Sequence, residues 1–395
     1  MYIAILNWKN GENDPFTLFS NCLKESFERA GRPAVVVNLD ENTLQTISTL
    51  ASSLSFVFTW QGLGLNLGQT DTNKTRIWDE LKLPLIINHG DHPCHMMAHH
   101  RGESDYAQHI YAAPSFALFA NKHIPRKNAA SFLQSPCLFN NEVNGNFAGN
   151  YFVFPKNLDD TQQTLAVWHE AEQKVLGHFL LAAFETIQYE LTLKNQRDHH
   201  QVIDEMLLPD ILERLKIELN TDSEYLIQLH VHALLDKVYR NILSEHVVTE
   251  LHDVPIKIYG RGWDRFKAQN NPKHEYLDFD KVGDNAFQFS SHFGVLDASP
   301  IYDNLHDRTL RAIGNQSSFL SGSGWDFENM LGYGFGNLFF NTQSGNLLAN
   351  AERVMTAPLQ HREQCIAFSN AYRQRYSAYG YIKEIERMSE SLRRH

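Results

Sequence analysis

The rhythm of this chain constrains its fold more than any single motif does. Short apolar runs alternate with amphipathic stretches towards both ends, and a long block between them carries only the helical period. In the first part, Tyr2–Leu6 reads as a strand, Pro15–Ala30 as a helix closed by Gly31, and Val35–Asn38 and Phe56–Phe58 as strands. Asn73–Leu81 reads as a helix and Pro84–Asn88 as a strand, with further strands expected at Ile110–Ala112, Phe116–Phe119 and Leu138. Strands and helices alternating at this spacing build a parallel sheet wrapped by helices.

From about Asp159 to Thr249 the pattern changes. Leu165, Trp168, Val175, Leu176, Phe179 and Phe184 recur at helical spacing, as do Leu226, Leu229, Leu234, Val238 and Leu243. Three helices are expected, roughly 160–193, 200–218 and 223–246, with their stripes buried as core. A second α/β unit begins near Val254. The expected organisation is an α/β domain over 1–157, a helical insertion over 158–249, a second α/β domain over 250–358, and C-terminal helices over 359–395.

Composition narrows the function classes. With 395 residues and 43% apolar content the chain can bury a large core. A net charge of -11 argues against wrapping nucleic acid or lying on an anionic membrane. Cys22, Cys94, Cys137 and Cys365 are scattered and form no CxxC pair, which reads as reduced thiols. The opening apolar run is too short for a signal peptide, and no stretch approaches the roughly 18 apolar residues of a membrane helix. A cytoplasmic protein with no integral membrane segment is expected.

Three stretches carry residues suited to chemistry. The first is Asn88-His-Gly-Asp-His-Pro-Cys-His95, extended by His99 and His100, which follows a predicted strand and so lies where functional loops gather. Asp91, His92 and His89 are the types that take a proton from a hydroxyl near neutral pH. The same cluster could bind metal through imidazole and thiolate, although its spacing matches no familiar zinc motif. A structural loop is the third reading. The second stretch is Thr59-Trp60-Gln61-Gly-Leu-Gly-Leu-Asn66, in which the glycines mark either a tight turn or a place for an acceptor to approach the backbone.

The third stretch is C-terminal. An apolar strand runs into Gly260-Arg261-Gly262-Trp263, followed by His292-Phe-Gly294, by His306-Asp-Arg308-Thr-Leu-Arg311, and by the polar turn Ser321-Gly-Ser323-Gly-Trp-Asp326. Glycines at a strand end let a ligand approach the backbone, and Trp263 can pack beside a base. His306, Arg308, Arg311 and Arg261 suit a diphosphate, because guanidinium pairs bidentately with phosphate oxygens. Ser321 and Ser323 add donors. The competing reading of Arg308 and Arg311 is a pair of surface ion-pairing residues on one helix face.

At these residues the chain resembles the CgeB-like, spore-maturation-type glycosyltransferases of the GT-B fold. The resemblance rests on Ile258-Tyr-Gly260-Arg-Gly262-Trp263, then His306-Asp-Arg308-Thr-Leu310-Arg311-Ala-Ile-Gly314, then Ser318-Phe-Leu320. In the N-terminal half it rests on Pro84-Leu-Ile-Ile-Asn88 before Asp91-His-Pro93, and on Gly149-Asn150 before an apolar run. It covers about 250–345 clearly and 1–155 more loosely, and it is absent over the helical block. One position departs from the family pattern: Arg311 stands where many such enzymes carry a glutamate that contacts the donor, and Glu328 is the nearest substitute.

The resemblance implies two Rossmann-like domains facing a cleft, with C-terminal helices crossing back onto the first domain. It implies transfer of a sugar from a nucleotide-diphosphate donor to an acceptor hydroxyl. The donor would meet Gly260, Arg261, Gly262, Trp263, His292, His306, Arg308, Arg311, Ser321 and Ser323. The acceptor would meet Trp60, Gln61 and His89, with Asp91 or His92 as base if the anomeric centre inverts. It implies no metal and no cofactor beyond the nucleotide sugar, because helix dipoles and cationic side chains neutralise the leaving group. Two alternatives stand beside it: a non-catalytic nucleotide-sugar-binding or docking module, and a nucleotide-sugar epimerase or hydrolase of the same fold.

Overall fold

The computed structural model describes residues 1–8, 15–70, 75–101, 104–138, 150–159, 199–204, 221–278, 293–299, 303–322, 334–340 and 346–394, with a few single positions between them. The chain divides into two compact units, one of Met1–Asn140 with Tyr372–His395 and the other of Asn141–Ala371.

In the first unit the chain runs β1 (Tyr2–Asn7), α1 (Pro15–Arg29), β2 (Ala34–Asn38), α2 (Thr43–Leu50), β3 (Leu54–Trp60), α3 (Ile77–Glu80), β4 (Leu85–His89), β5 (Ala107–Tyr111), α4 (Pro114–His123) and β6 (Ser131–Phe132). All strand pairs are parallel, in the order β2-β1-β3-β4-β5-β6. Strands covered on both faces are mostly apolar, which is why residues 56–58 of β3 and 85–87 of β4 read as short hydrophobic runs. One face packs Phe56, Phe58 and Ile86 against α1, and the other packs Val57, Leu85 and Ile87 against Ile47, Ile77 and Trp78.

The second unit runs β7 (Phe152–Pro155), α5 (His199–Val202), α6 (Thr221–Glu250), β8 (Ile256–Tyr259), α7 (Asp264–Lys267), β9 (His274–Leu277), β10 (Gly294–Asp297), α8 (Asp307–Gly314), β11 (Phe319–Ser321) and α9 (Leu347–Thr356). Its sheet is also parallel, ordered β11-β10-β7-β8-β9. Phe152, Phe154, Ile256, Leu296 and Leu320 of this sheet share a core with Val247, Leu251, Leu347 and Val354. Two further helices follow, α10 (Pro358–Arg375) and α11 (Ala378–Leu392). The last of these returns to the first unit, where Tyr381, Ile382 and Ile385 join the core beside α1. Arg393 donates to the Leu54 carbonyl at 3.0 Å, pinning the end of α11 to the start of β3.

The expected α/β architecture with two parallel sheets is the one observed. Several local expectations are corrected. Phe116–Phe119 lies inside α4, not in a strand, because Pro114 at the first helical position presets the helical φ. Leu138 is buried in the core but belongs to no strand. Helix α3 is described only over Ile77–Glu80. Strand β7 belongs to the second sheet and is its central strand, so that sheet takes a strand from before the helical block. Helix 223–246 is found within α6, whereas the expected helices at 160–193 and 200–218 fall almost wholly outside the described residues.

Candidate functional site

Counted within its own unit, the second sheet has the strand order 5-4-1-2-3, and the order reverses between β7 and β10. In open parallel sheets, ligands bind in the crevice beyond the carboxyl ends at such a reversal. Lys156 leaves β7 at this point, and Asp297 ends β10.

Asp297 is the hub. Its Oδ1 accepts from the Ser299 hydroxyl at 2.8 Å and the Ser299 amide at 3.2 Å. Its Oδ2 accepts from the Thr309 hydroxyl at 2.9 Å and faces His306 Nδ1 at 3.1 Å. Burial favours the neutral acid, but His306 and then Arg308 outweigh it and hold the carboxyl well below its usual range. Arg308 reaches Ser299 Oγ at 3.3 Å and stands 3.6 Å from Asp297 Oδ1. Thr309 Oγ1 also lies 3.0 Å from Ser321 Oγ, whose hydroxyl can donate to it, which joins the end of β11 to the network.

His306 precedes α8. Burial opposes its charge, yet Asp297 and Asp307 together raise its pKa above the ordinary histidine value. Its Nδ1 lies 2.9 Å from Asp307 Oδ1 and 3.5 Å from the Arg308 amide. The second distance is at the limit of a hydrogen bond, so the carboxylates set the protonation of this ring. Lys156 is partly buried and has its pKa pushed down to about 7, by burial first and then by Arg308 and Arg240. The carboxyl edge thus gathers His306, Arg308 and Lys156 with hydroxyls from Ser299, Thr309 and Ser321. That is an anion-binding composition, and Lys156, at about 7, is the cation in it that loses charge near neutral pH.

The glycine stretch before it has a different job. A Cβ on Gly260 would stand 2.2 Å from the Lys156 carbonyl oxygen, and one on Gly262 would stand 1.7 Å from that of Leu158. Gly262 also has φ of 85°. These glycines admit the chain leaving β7, which bonds back through Leu158 N to Arg261 O at 2.9 Å. Trp263 is buried, donates from Nε1 to the Lys156 carbonyl at 2.6 Å, and meets Phe154 edge-on. It is core, and it does not offer a face to a base. Arg261 is exposed at this edge. Arg311 is buried and pairs with Asp307 at 2.9 Å. His292, Ser323 and Glu328 lie outside the described residues.

In the first unit the order reverses between β1 and β3, where Asn7 and Trp60 end their strands. Trp60 is buried and donates to Ser20 Oγ at 3.0 Å. Gln61, with φ of 50°, donates from its side chain to Asp91 Oδ2 at 2.8 Å. Two segments 30 residues apart in sequence are thereby brought together, with Asp91 exposed at the edge. The 59–66 stretch is a run of tight turns, Leu63 N to Trp60 O at 3.0 Å and Leu65 N to Gly62 O at 3.1 Å.

The histidines expected beside Asp91 are largely structural. His89 is fully buried, bonds His109 at 2.9 Å, and stacks on Tyr111 at 4.8 Å between ring centroids. Burial, reinforced by His100 and His109, pushes its pKa well below the ordinary value, so it stands inside the core and not at an acceptor surface. His92 is buried between Phe116 and Phe119, and its Nδ1 accepts from the Cys94 amide at 3.2 Å.

Sequence reading passed over Lys156, Asp297, Ser299 and Thr309. The available signals were Phe-Val-Phe-Pro running into Lys156 and Gly-Val-Leu ending at Asp297. The proline in one and the shortness of the other obscured them.

No family model and no curated protein matches the sequence. Among solved structures, the chain is similar to a DNA-modifying β-glucosyltransferase described with and without uridine diphosphoglucose, at 9% identity and TM-score 0.49, covering 99% of this chain and 100% of that one. It is also similar to the T4 phage enzyme BGT in complex with UDP and Mn2+, at 9% identity and TM-score 0.47, covering 100% and 99%. TarM gives 10% identity and TM-score 0.42 over 88% of this chain and 57% of that one.

Proposed function

We propose that the protein is a glycosyltransferase of the GT-B type, moving a sugar from a nucleoside-diphosphate donor to an acceptor hydroxyl. The observation that carries this reading is the cationic, hydroxyl-rich cluster of Lys156, His306, Arg308, Ser299, Thr309 and Ser321 at the order reversal of a parallel sheet. The donor diphosphate sits at this edge. Arg308 and Lys156 carry the charge that develops on the leaving group, in place of a metal ion there. Asp297 holds His306, Thr309 and Arg308 in position and does not itself meet phosphate, since a carboxylate would repel it.

On the first unit, Asp91 is the proposed base, oriented by Gln61. It accepts the acceptor's hydroxyl proton while the new C–O bond forms and the bond from the anomeric carbon to the diphosphate breaks. His89 has no part in this step, because it is buried and neutral.

The test is a thermal-shift screen with UDP-, GDP- and CDP-sugars, followed by transfer assays on acceptors with any donor that binds. A donor at 100 times its Kd stabilises the fold by about 2.7 kcal/mol. Arg308→Ala is expected to weaken that donor by about 1.5–3 kcal/mol, and Asp91→Asn to cut turnover while leaving donor affinity nearly intact. If no nucleoside diphosphate or its sugar raises the melting temperature, the donor site as drawn is wrong. Full turnover in Asp91→Asn would remove Asp91 from the mechanism.

A further inference from the structure

A second polar cluster lies in the second unit, where α5 meets α6, and the proposed transfer does not use it. His199, His200, His232 and Asp236 are all buried, with Asp204 at their margin. Placing two adjacent histidines and a carboxylate in a protein interior is costly unless each polar atom is answered. The contacts determine how these atoms are protonated.

Asp204 Oδ1 lies 2.7 Å from His232 Nε2, so that nitrogen carries the hydrogen and donates. His232 Nδ1 is then an acceptor, and His200 Nδ1 donates to it at 3.0 Å. The other ring nitrogen of His200, Nε2, stands 3.4 Å from Asp236 Oδ1. Asp236 Oδ1 also takes His199 Nε2 at 2.7 Å, and Oδ2 is held by Arg240 Nε at 2.5 Å. Tyr239 stacks on His199 at 4.3 Å between centroids, which fixes the orientation of that ring.

Two imidazole nitrogens and one carboxylate oxygen thus converge, all within 4.8 Å of one another. We infer that His199 Nε2, His200 Nε2 and Asp236 Oδ1 bind a divalent transition metal ion such as Zn2+. Metal–ligand bonds of about 2.0–2.2 Å in a tetrahedron set ligand atoms roughly 3.3 Å apart. The His200–Asp236 separation already has that spacing. The His199–Asp236 separation opens by about half an ångström as the hydrogen-bonding proton leaves. The ion takes the place of that hydrogen, which shifts to Nδ1, so that His199 ligates as neutral imidazole and releases no proton. The Asp204–His232–His200 chain is the outer support that ligating histidines usually have, and Arg240 restricts Asp236 to one coordinating oxygen. The ion would fasten the short helix α5 to α6, and it is independent of the donor site proposed above.

The experiment uses the full chain, stripped with a chelator and titrated with Zn2+ and with Co2+ by calorimetry and visible spectroscopy. The expected result is one equivalent bound per chain, a higher melting temperature, and Co2+ bands without thiolate charge transfer. His200→Gln and Asp236→Asn are expected to lower affinity by at least a hundredfold, and His232→Gln by about 10–100-fold as an outer-shell change. Exposed His252, changed to Ala, should alter nothing. No binding by the wild-type chain overturns the site. So does a Co2+ spectrum with thiolate charge transfer, which would place the ion on Cys22, Cys94, Cys137 or Cys365. Wild-type affinity in a folded His200→Gln variant also overturns it. Should the variants fail to fold, the wild-type Co2+ spectrum and X-ray absorption still decide, since they must show nitrogen and oxygen ligands only.

Discussion

The two sheet edges use histidine in opposite ways. At the first unit's edge, His89, His100 and His109 are stacked into the core with Tyr111, and burial pushes all three pKa values down, that of His100 to about 3. At the second unit's edge, His306 sits between Asp297 and Asp307, which raise its pKa against the effect of burial. The same residue type is a neutral packing element in one place and a charged partner in the other. What separates them is a carboxylate within about 3 Å, a feature of the fold that sequence neighbours do not reveal.

Removing that carboxylate is the harshest way to break the contrast. Asp297→Asn leaves His306 and Arg308 as cations without their buried counter-charge. Loss of one partner from a buried ion pair typically costs about 3–5 kcal/mol. Chemical denaturation should show a loss of this size, and donor binding should fail with it. A variant within 1 kcal/mol of wild type, a margin set by ordinary surface substitutions, would show that Asp297 is not the hub described.

The pH dependence sharpens the contrast, because the two edges carry opposite signs. His89, His100 and His109 have folded pKa values below their unfolded ones. The stability they leave intact is full above about pH 6.5 and is lost as pH falls, since the unfolded chain takes up protons first. For His100, with its pKa at about 3, this amounts to about 2 kcal/mol at pH 5. His306 has a raised folded pKa, so its contribution is full below about pH 6.5 and is lost as pH rises through the raised value. Peptide-resolved hydrogen exchange should therefore show β4 and β5 opening more readily at pH 5 than at pH 7, with β10 showing the reverse tendency. His200 and His361, both pushed down by burial, share the sign of the first unit, so β10 is the strand that reports His306. His100→Phe should make the acid loss shallower. An opening free energy for β4 and β5 that is unchanged between the two pH values would refute the assignment of these histidines as neutral core.

Much of the fold was legible in the sequence, and much less of the site. Strands such as Leu54–Trp60 and Leu85–His89 are buried on both faces and announce themselves as apolar runs. Phe116–Phe119 misled because four residues of a buried helix cannot be told from a strand by hydrophobicity alone, and Pro114 was the decisive signal. At the site, the conspicuous residues proved to be packing devices. Gly260 and Gly262 make room for the chain after β7, and Trp263 caps the core. Asp297 and Lys156 lie 141 positions apart, 156 to 297, and only the strand order β10-β7 makes them neighbours. Asp91 and Gln61 are likewise joined by the β3-β4 pairing.

The smallest expected effect is also the most specific to the second unit's edge. Lys156, with its pKa at about 7, is largely charged at pH 6 and largely neutral at pH 8. A UDP-sugar is a diphosphate diester with no proton to lose in that range, so any change in its affinity reports the protein. Affinity should fall as pH rises from 6 to 8. His306 contributes in the same direction because its raised pKa also brings loss of charge on the alkaline side. Lys156→Met should weaken binding at pH 6 by about tenfold, equivalent to roughly 1.4 kcal/mol, and should flatten the pH dependence without removing it. The remaining slope belongs to His306. Calorimetric titration of wild type and variant at several pH values separates the two cations, and a variant with the full wild-type slope would place Lys156 outside the anion site.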